Sequence, residues 1–114
     1  MTDAPVLDPD LTAVHCRREP TGVSVELVGE IDIETAPRLQ AVIDWIAAGS
    51  AANVTVDLSN TKFLDSTALR FFVRLRKLAV ANGSGLNLVG ASNGVARALN
   101  QSGLDRILTV APRR

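Results

Sequence analysis

The period of the apolar residues changes twice within the first sixty positions, and that change restricts the fold more than any other feature. In "GVSVELVGEI", residues 22–31, Val23, Val25 and Leu27 alternate with Ser24 and Glu26. Such alternation lines one face of a half-buried strand. The preceding "LTAVHCRRE" reads as its partner, and Pro20, Thr21 and Gly22 make the connection of a hairpin. "TAPRLQAVIDWIAAG" has another period: Leu39, Val42, Ile43 and Ile46 recur at i, i+3, i+4 and i+7, the stripe of an amphipathic helix. Thr35 is expected to cap this helix, Pro37 to stand in its first turn and Gly49 to end it. "NVTVDL" then returns to the period of a strand.

The alternation of types continues to the end of the chain. Residues 66–81 read as a second helix and "LNLVG" as a fourth strand. "SNGVARALNQSG" is a third helix, capped by Ser92 and closed by Gly103, and "RILTV" a last strand. A hairpin followed by alternating helices and strands predicts an α/β fold, with right-handed crossovers joining a mixed, mostly parallel sheet and about three helices. A chain of 114 residues is one domain by length. Residues 1–10, with two prolines and three aspartates, are expected to be a mobile arm. Residues 11–110 form the domain and residues 111–114 a tail.

Composition narrows the function classes. No apolar run approaches the roughly 20 residues of a membrane helix. The acidic start "MTDAPVLDPDLT" lacks the basic and apolar regions of a secretory signal. The single cysteine, Cys16, forms no internal disulfide and suits a reducing cytoplasm. The net charge is zero, yet residues 1–57 hold ten acids and three bases, a balance of −7, and residues 58–114 hold two acids and nine bases, a balance of +7. Such asymmetry suggests a polar partner. Nucleic acid fits poorly, because no basic run exceeds two residues and only four aromatic residues are present to stack on bases.

Catalytic constellations are thin. A hydrolase would have to use Ser66 with the only histidine, His15, but no G-x-S-x-G elbow surrounds the serine. His15 and Cys16 are neighbours in a strand and point to opposite faces, so they form no pair. His15 is expected to be a solvated strand residue and Cys16 a small core residue. The turn from Gly90 to Gly94 resembles a phosphate cradle, but Ala96 replaces the third glycine, and no strand with an acid roughly 20 residues on follows it. Ser92 as a cap and Gly94 as a small residue at the helix start account for it.

"FLDSTALRFF", residues 63–72, is the most informative junction. At 100° per residue, Ala68, Phe72, Leu75 and Ala79 fall together, flanked by Leu69, Phe71 and Leu78. Ser66, Thr67, Arg70, Arg74 and Lys77 lie opposite, so a hydroxyl face continues as a basic face. Asp65 or Ser66 is the N-cap, and without Glu or Gln at N3 there is no capping box. One reading is a cap and a solvated charge face. The other is a switch. A phosphoryl group on Ser66 would add a charge of about −1.5 to −2. It would meet free backbone N–H groups and the positive end of the helix dipole, with Arg70 one turn on. The domain would tolerate that charge, but an interface over the same spot would not.

Taken in order and spacing, "VELVGEIDIETAPRL", "VTVDLSNTKFLDSTALRFF", "LNLVG" and "VARALNQSGL" resemble the STAS domain as found in bacterial anti-anti-sigma factors, across roughly residues 11–110. That family carries Asp-Ser-Ser/Thr-Gly-Leu at the start of its second main helix, and its phosphorylated serine falls on Ser66. Its acid after the second strand falls on Asp32, and its acid closing the third strand on Asp57. Its usual glycine is Ala68 here, on the core side of the helix. The resemblance implies a binding protein with no cofactor and no catalysis of its own. Unphosphorylated, it would dock on an anti-sigma factor, typically a serine kinase of the histidine-kinase-like ATPase type, and free a sigma factor. Phosphorylation of Ser66 would weaken that complex, with ATP and magnesium held by the partner. Thr67 is the other possible acceptor. The partner surface is expected to include Asp32, Asn60, Thr61, Asp65, Thr67, Arg70 and Arg74, with Asp32 and Asp65 near Ser66 across the ends of parallel strands. The expected protein is cytoplasmic, a monomer or weak dimer, and touches neither membrane nor nucleic acid. The alternative is a STAS regulatory subunit docking on a transporter ATPase or a sensory assembly.

Overall fold

Val23, Val25, Leu27 and Ile31 are buried along one long strand, and the rest of the fold is built on it. The computed structural model describes residues 12–49, 53–106 and 109–112, so the arm expected at residues 1–10 lies outside them. β1 (Ala13–Glu19) pairs antiparallel with β2 (Gly22–Ile31), as the hairpin reading requires. A 3-10 turn (Ile33–Thr35) leads into α1 (Ala36–Ala48), and β3 (Asn53–Asp57) follows beside the first half of β2, parallel to it. β4 (Thr61–Leu64) then pairs with the second half of β2, also parallel. α2 (Ser66–Ala81), β5 (Leu86–Ala91), α3 (Asn93–Ser102), a 3-10 turn (Leu104–Arg106) and β6 (Thr109–Pro112) complete the chain. The main sheet has the order β1-β2-β3-β5-β6, with every pairing parallel except the hairpin.

The core lies between this sheet and the helices. α1 contributes Leu39, Val42, Ile43 and Ile46, the stripe read from the sequence. α2 contributes Ala68, Phe71, Phe72, Leu75 and Ala79. Phe72 and Leu75 are fully buried and meet Val54, Val56 and Leu88 of β3 and β5 in one cluster. The third strand and second helix therefore stand at the centre, as the pattern implies. Burying a side chain such as Phe72 contributes roughly 1.5–3 kcal/mol. Ala68 is fully buried, which agrees with a core-facing position.

Several local expectations change. β4 is a strand that the periodicity does not delimit: its four residues have buried ends and an exposed middle, neither alternation nor helical stripe. Thr35 does not cap α1 with its side chain. It is buried and its Oγ1 accepts the Asp32 amide at 3.3 Å, while Asp32 Oδ1 accepts the Glu34 amide at 3.0 Å. The cap thus belongs to Asp32, because a turn of 3-10 helix precedes α1. The last strand lies at Thr109–Pro112 rather than over 106–110, and Arg106 sits in the preceding 3-10 turn.

Neither His15 nor Cys16 has its expected environment. Cys16 pairs with Val25 and shares the core side of the sheet, but it is on the edge strand and remains exposed. Partial burial of the thiol raises its pKa, and the nearby Arg18 charge opposes that rise. Arg18 itself lies 4.2 Å from the Trp45 ring centroid and donates to the Trp45 carbonyl at 2.8 Å, tying β1 to α1. His15 pairs with Glu26 on the other face and is half-buried.

Candidate functional site

The site is assembled where two parallel strands end side by side. Ile31 of β2 pairs with Leu64 of β4, and both are buried. One residue further, the Asp65 amide donates to the Ile31 carbonyl at 3.2 Å. This bond fixes the start of α2 beside the Asp32 turn. The geometry depends on a bulge at Gly29, where φ is +85° and the β2–β4 register shifts. That backbone suits glycine, and the residue added to the ladder is Lys62 of β4, which lies between the Gly29–Thr61 and Glu30–Phe63 pairs. Leu27, Gly29 and Ile31 stay buried on the core face, Val28 is buried on the other, and Glu30 turns to solvent.

Asp65 caps α2: its Oδ1 accepts the Thr67 amide at 2.8 Å. One free amide of the first turn is thereby satisfied. No capping box forms, because the cap residue has no Glu or Gln three positions on. Ser66 is the first helical residue and is exposed, with its hydroxyl beside the remaining positive end of the helix. Thr67 is half-buried. Arg70, Arg74 and Lys77 follow Ser66 at successive turns and are all exposed. Across the strand ends, Asp32 is half-buried and oriented by the Glu34 and Thr35 contacts already described.

The expected residues do not all gather there. Asp32, Asp65, Ser66 and Thr67 form the corner, and Arg70 and Arg74 extend it along α2. Asn60 lies at the other end of β4. It is exposed, its carbonyl accepts the Gly29 amide at 2.9 Å, and its side chain donates to Glu26 Oε2 at 3.2 Å. Thr61 is a correction: it is buried, and its hydroxyl donates to the Leu27 carbonyl at 2.6 Å, so its side chain is structural and is not presented to a partner. Asp57 also works inside the fold. Its Oδ1 accepts both the Ser59 amide at 2.9 Å and the Ser59 hydroxyl at 2.6 Å, building the turn from β3 to β4.

Two exposed apolar side chains, Ile33 and Phe63, flank the corner and were not singled out by the sequence reading. The signal for Ile33 was the end of the β2 alternation, since it is the first apolar residue beyond Ile31 and falls in the Asp32 turn. For Phe63 it was the adjacent Leu64, since two neighbours in a strand face opposite sides.

Among the described residues, no helix is long and apolar enough to cross a membrane. The family model described as "Mlab, STAS domain" matches residues 14–109. The anti-sigma-B factor antagonist of Staphylococcus epidermidis is 31% identical over 86 residues, covering 75% of this chain and 80% of that protein. A crystal structure of an anti-sigma factor antagonist from Mycobacterium paratuberculosis aligns with a TM-score of 0.70 at 26% identity, over 93% of this chain and 90% of that one. The Bacillus cell fate determinant SpoIIAA in its phosphorylated form shares the fold, with a TM-score of 0.67 at 20% identity over 87% of this chain and 91% of that one. The α/β sheet, its helices and these matches agree: the chain belongs to the STAS domain family.

Proposed function

We propose that this chain is an anti-sigma factor antagonist that binds an anti-sigma factor of the serine-kinase type and is turned off by phosphorylation at Ser66. The observation that carries the reading is the exposed Ser66 hydroxyl at the first position of a capped helix, between the Asp32 turn and the Arg70–Arg74 face. The S. epidermidis and M. paratuberculosis relatives, both named as anti-sigma factor antagonists, support an anti-sigma factor as the partner. SpoIIAA, solved in a phosphorylated form, supports a fold of this kind that accommodates a phosphate.

On this reading the chain is a ligand for its partner and performs no catalysis. The kinase holds magnesium–ATP and transfers the γ-phosphoryl group to Ser66 Oγ, releasing ADP and a proton. The helix dipole and free amides accept the new charge, so the fold persists. The partner surface that covered the neutral hydroxyl now faces about −1.5 to −2 charges beside Asp32 and Asp65, and desolvation and repulsion weaken the complex. The contact surface comprises Asp32, Asp65, Thr67, Arg70 and Arg74, with exposed Asn60 at its margin. Such a cycle operates in the cytoplasm, where the sigma factor and ATP are found.

The test is incubation with a purified histidine-kinase-like anti-sigma factor from the same genome and magnesium–ATP, followed by mass spectrometry. Phosphate is expected on Ser66. The Ser66→Ala variant should bind the factor and accept no phosphate. Modification of Thr67 instead, or of neither residue, would move or remove the switch.

A further inference from the structure

Among the described residues, the large apolar side chains that stand exposed are Ile33 at 67%, Phe63 at 52% and Val80 at 51%. Single exposed apolar residues are ordinary on a protein surface. Ile33 and Phe63, however, lie on adjoining segments. Phe63 pairs with Glu30 on neighbouring strands, and Ile33 is two residues beyond Ile31, whose carbonyl receives the Asp65 amide. Phe63 thus precedes Ser66 by three residues in the chain, and Ile33 belongs to the turn beside the start of α2. Folding accounts for neither. Ile31 and Leu64 already fill the core at these strand ends, and the 3-10 turn is held by Asp32 and Thr35 rather than by the isoleucine.

We propose that Ile33 and Phe63 are the apolar anchors of the interface with the anti-sigma factor, an inference that rests on the function proposed above. Interfaces of regulated complexes concentrate binding in a few apolar side chains surrounded by a polar rim. Here the rim has two signs. Glu30 and Glu34 are exposed on the β2 side, and Arg70 and Arg74 on the α2 side. The matching occupant has an apolar pocket with cations along one border and acids along the other. Charge of both signs around a small apolar centre favours a reversible partner over a permanent one, since obligate interfaces are larger and more apolar. The anchors also explain how a phosphate on Ser66 acts: it sits at their edge, and closing the pocket would strip its water.

Val80 supplies an internal control. It lies on the same helix as Ser66, about 21 Å along its axis. The experiment is calorimetric titration of the native chain and of Ile33→Ser, Phe63→Ser and Val80→Ser against the histidine-kinase-like anti-sigma factor that phosphorylates the native chain. Sedimentation and melting curves are recorded on each. Ile33→Ser and Phe63→Ser should each weaken binding about tenfold or more, which is about 1.4 kcal/mol. Val80→Ser should stay within about twofold, and all four should melt alike. Equal binding by all four chains would overturn the anchors while leaving the functional reading intact. So would a loss of self-association without a loss of anti-sigma binding, which would make the pair a contact between copies. If the native chain binds no such factor, the functional reading itself fails and the anchors with it.

Discussion

Two helices of this domain begin in the same way and at the same end of the sheet, yet only one start resembles a site. α2 begins after β4 with Asp65 accepting the Thr67 amide, and α3 begins after β5 with Ser92 accepting the Val95 amide at 3.3 Å. Both starts follow a strand whose pairing shifts register beside a left-handed glycine, Gly29 on the partner strand β2 for α2 and Gly90 within β5 for α3. At Gly90 the reason is close packing, since a Cβ there would strike the Ser59 hydroxyl. As caps the two are equivalent. The difference lies in what surrounds them. Beside α2 stand the exposed Ile33 and Phe63, the Asp32 turn and a basic helix face; beside α3 the first residues, Asn93 and Gly94, are exposed and uncharged. A capped helix start is thus a structural device by default. It becomes a candidate site only when exposed apolar and charged groups that the fold does not require collect around it.

The largest expected effect is common to both starts. Phe72 is fully buried in the cluster that includes β3, β5, α2 and α3 residues. Phe72→Ala should cost about 3–5 kcal/mol, read as a lower urea midpoint. An unchanged midpoint would mean that α2 is not the central helix, and the comparison would lose its common frame. A smaller effect should separate the two starts. Asp65→Ala and Ser92→Ala should each lose about 1 kcal/mol of stability through the missing cap bond. In titration, Asp65→Ala should also weaken anti-sigma binding several-fold, because Asp65 adjoins Ser66, whereas Ser92→Ala should leave it within about twofold. Equal binding by both would reduce Asp65 to a cap and nothing more.

What could be read from the sequence follows the strength of each pattern. Leu39, Val42, Ile43 and Ile46 on α1, and Ala68, Phe72, Leu75 and Ala79 on α2, repeat over several turns and are buried as the period implies. Ser92 and Gly103 act through local backbone chemistry, a side-chain cap and a left-handed terminus at φ +80°, and both hold in the structure. β4 was hidden because four residues are too few to show a period, and because Gly29 shifts the register of the strand it joins. Thr61 was misread for the same reason. Without β4 it looks like a loop hydroxyl, whereas in the strand it turns inward to the Leu27 carbonyl. Cys16 shows the limit of face assignment, since it faces the core side but lies on an edge strand and stays exposed. The exposure of Ile33 and Phe63 depends on the pairing of strand ends more than thirty residues apart in sequence, which no local pattern encodes.

The most direct test places the same charge at both helix starts. Ser66→Asp and Ser92→Asp each add one carboxylate where the helix dipole tolerates it, so both variants should melt close to the native chain. Calorimetric titration against the cognate anti-sigma factor should then separate them: Ser66→Asp binds at least about tenfold more weakly, a loss of about 1.4 kcal/mol, and Ser92→Asp binds as the native chain does. Native-like binding by Ser66→Asp, or equal weakening of both variants, would contradict a switch located at the α2 corner.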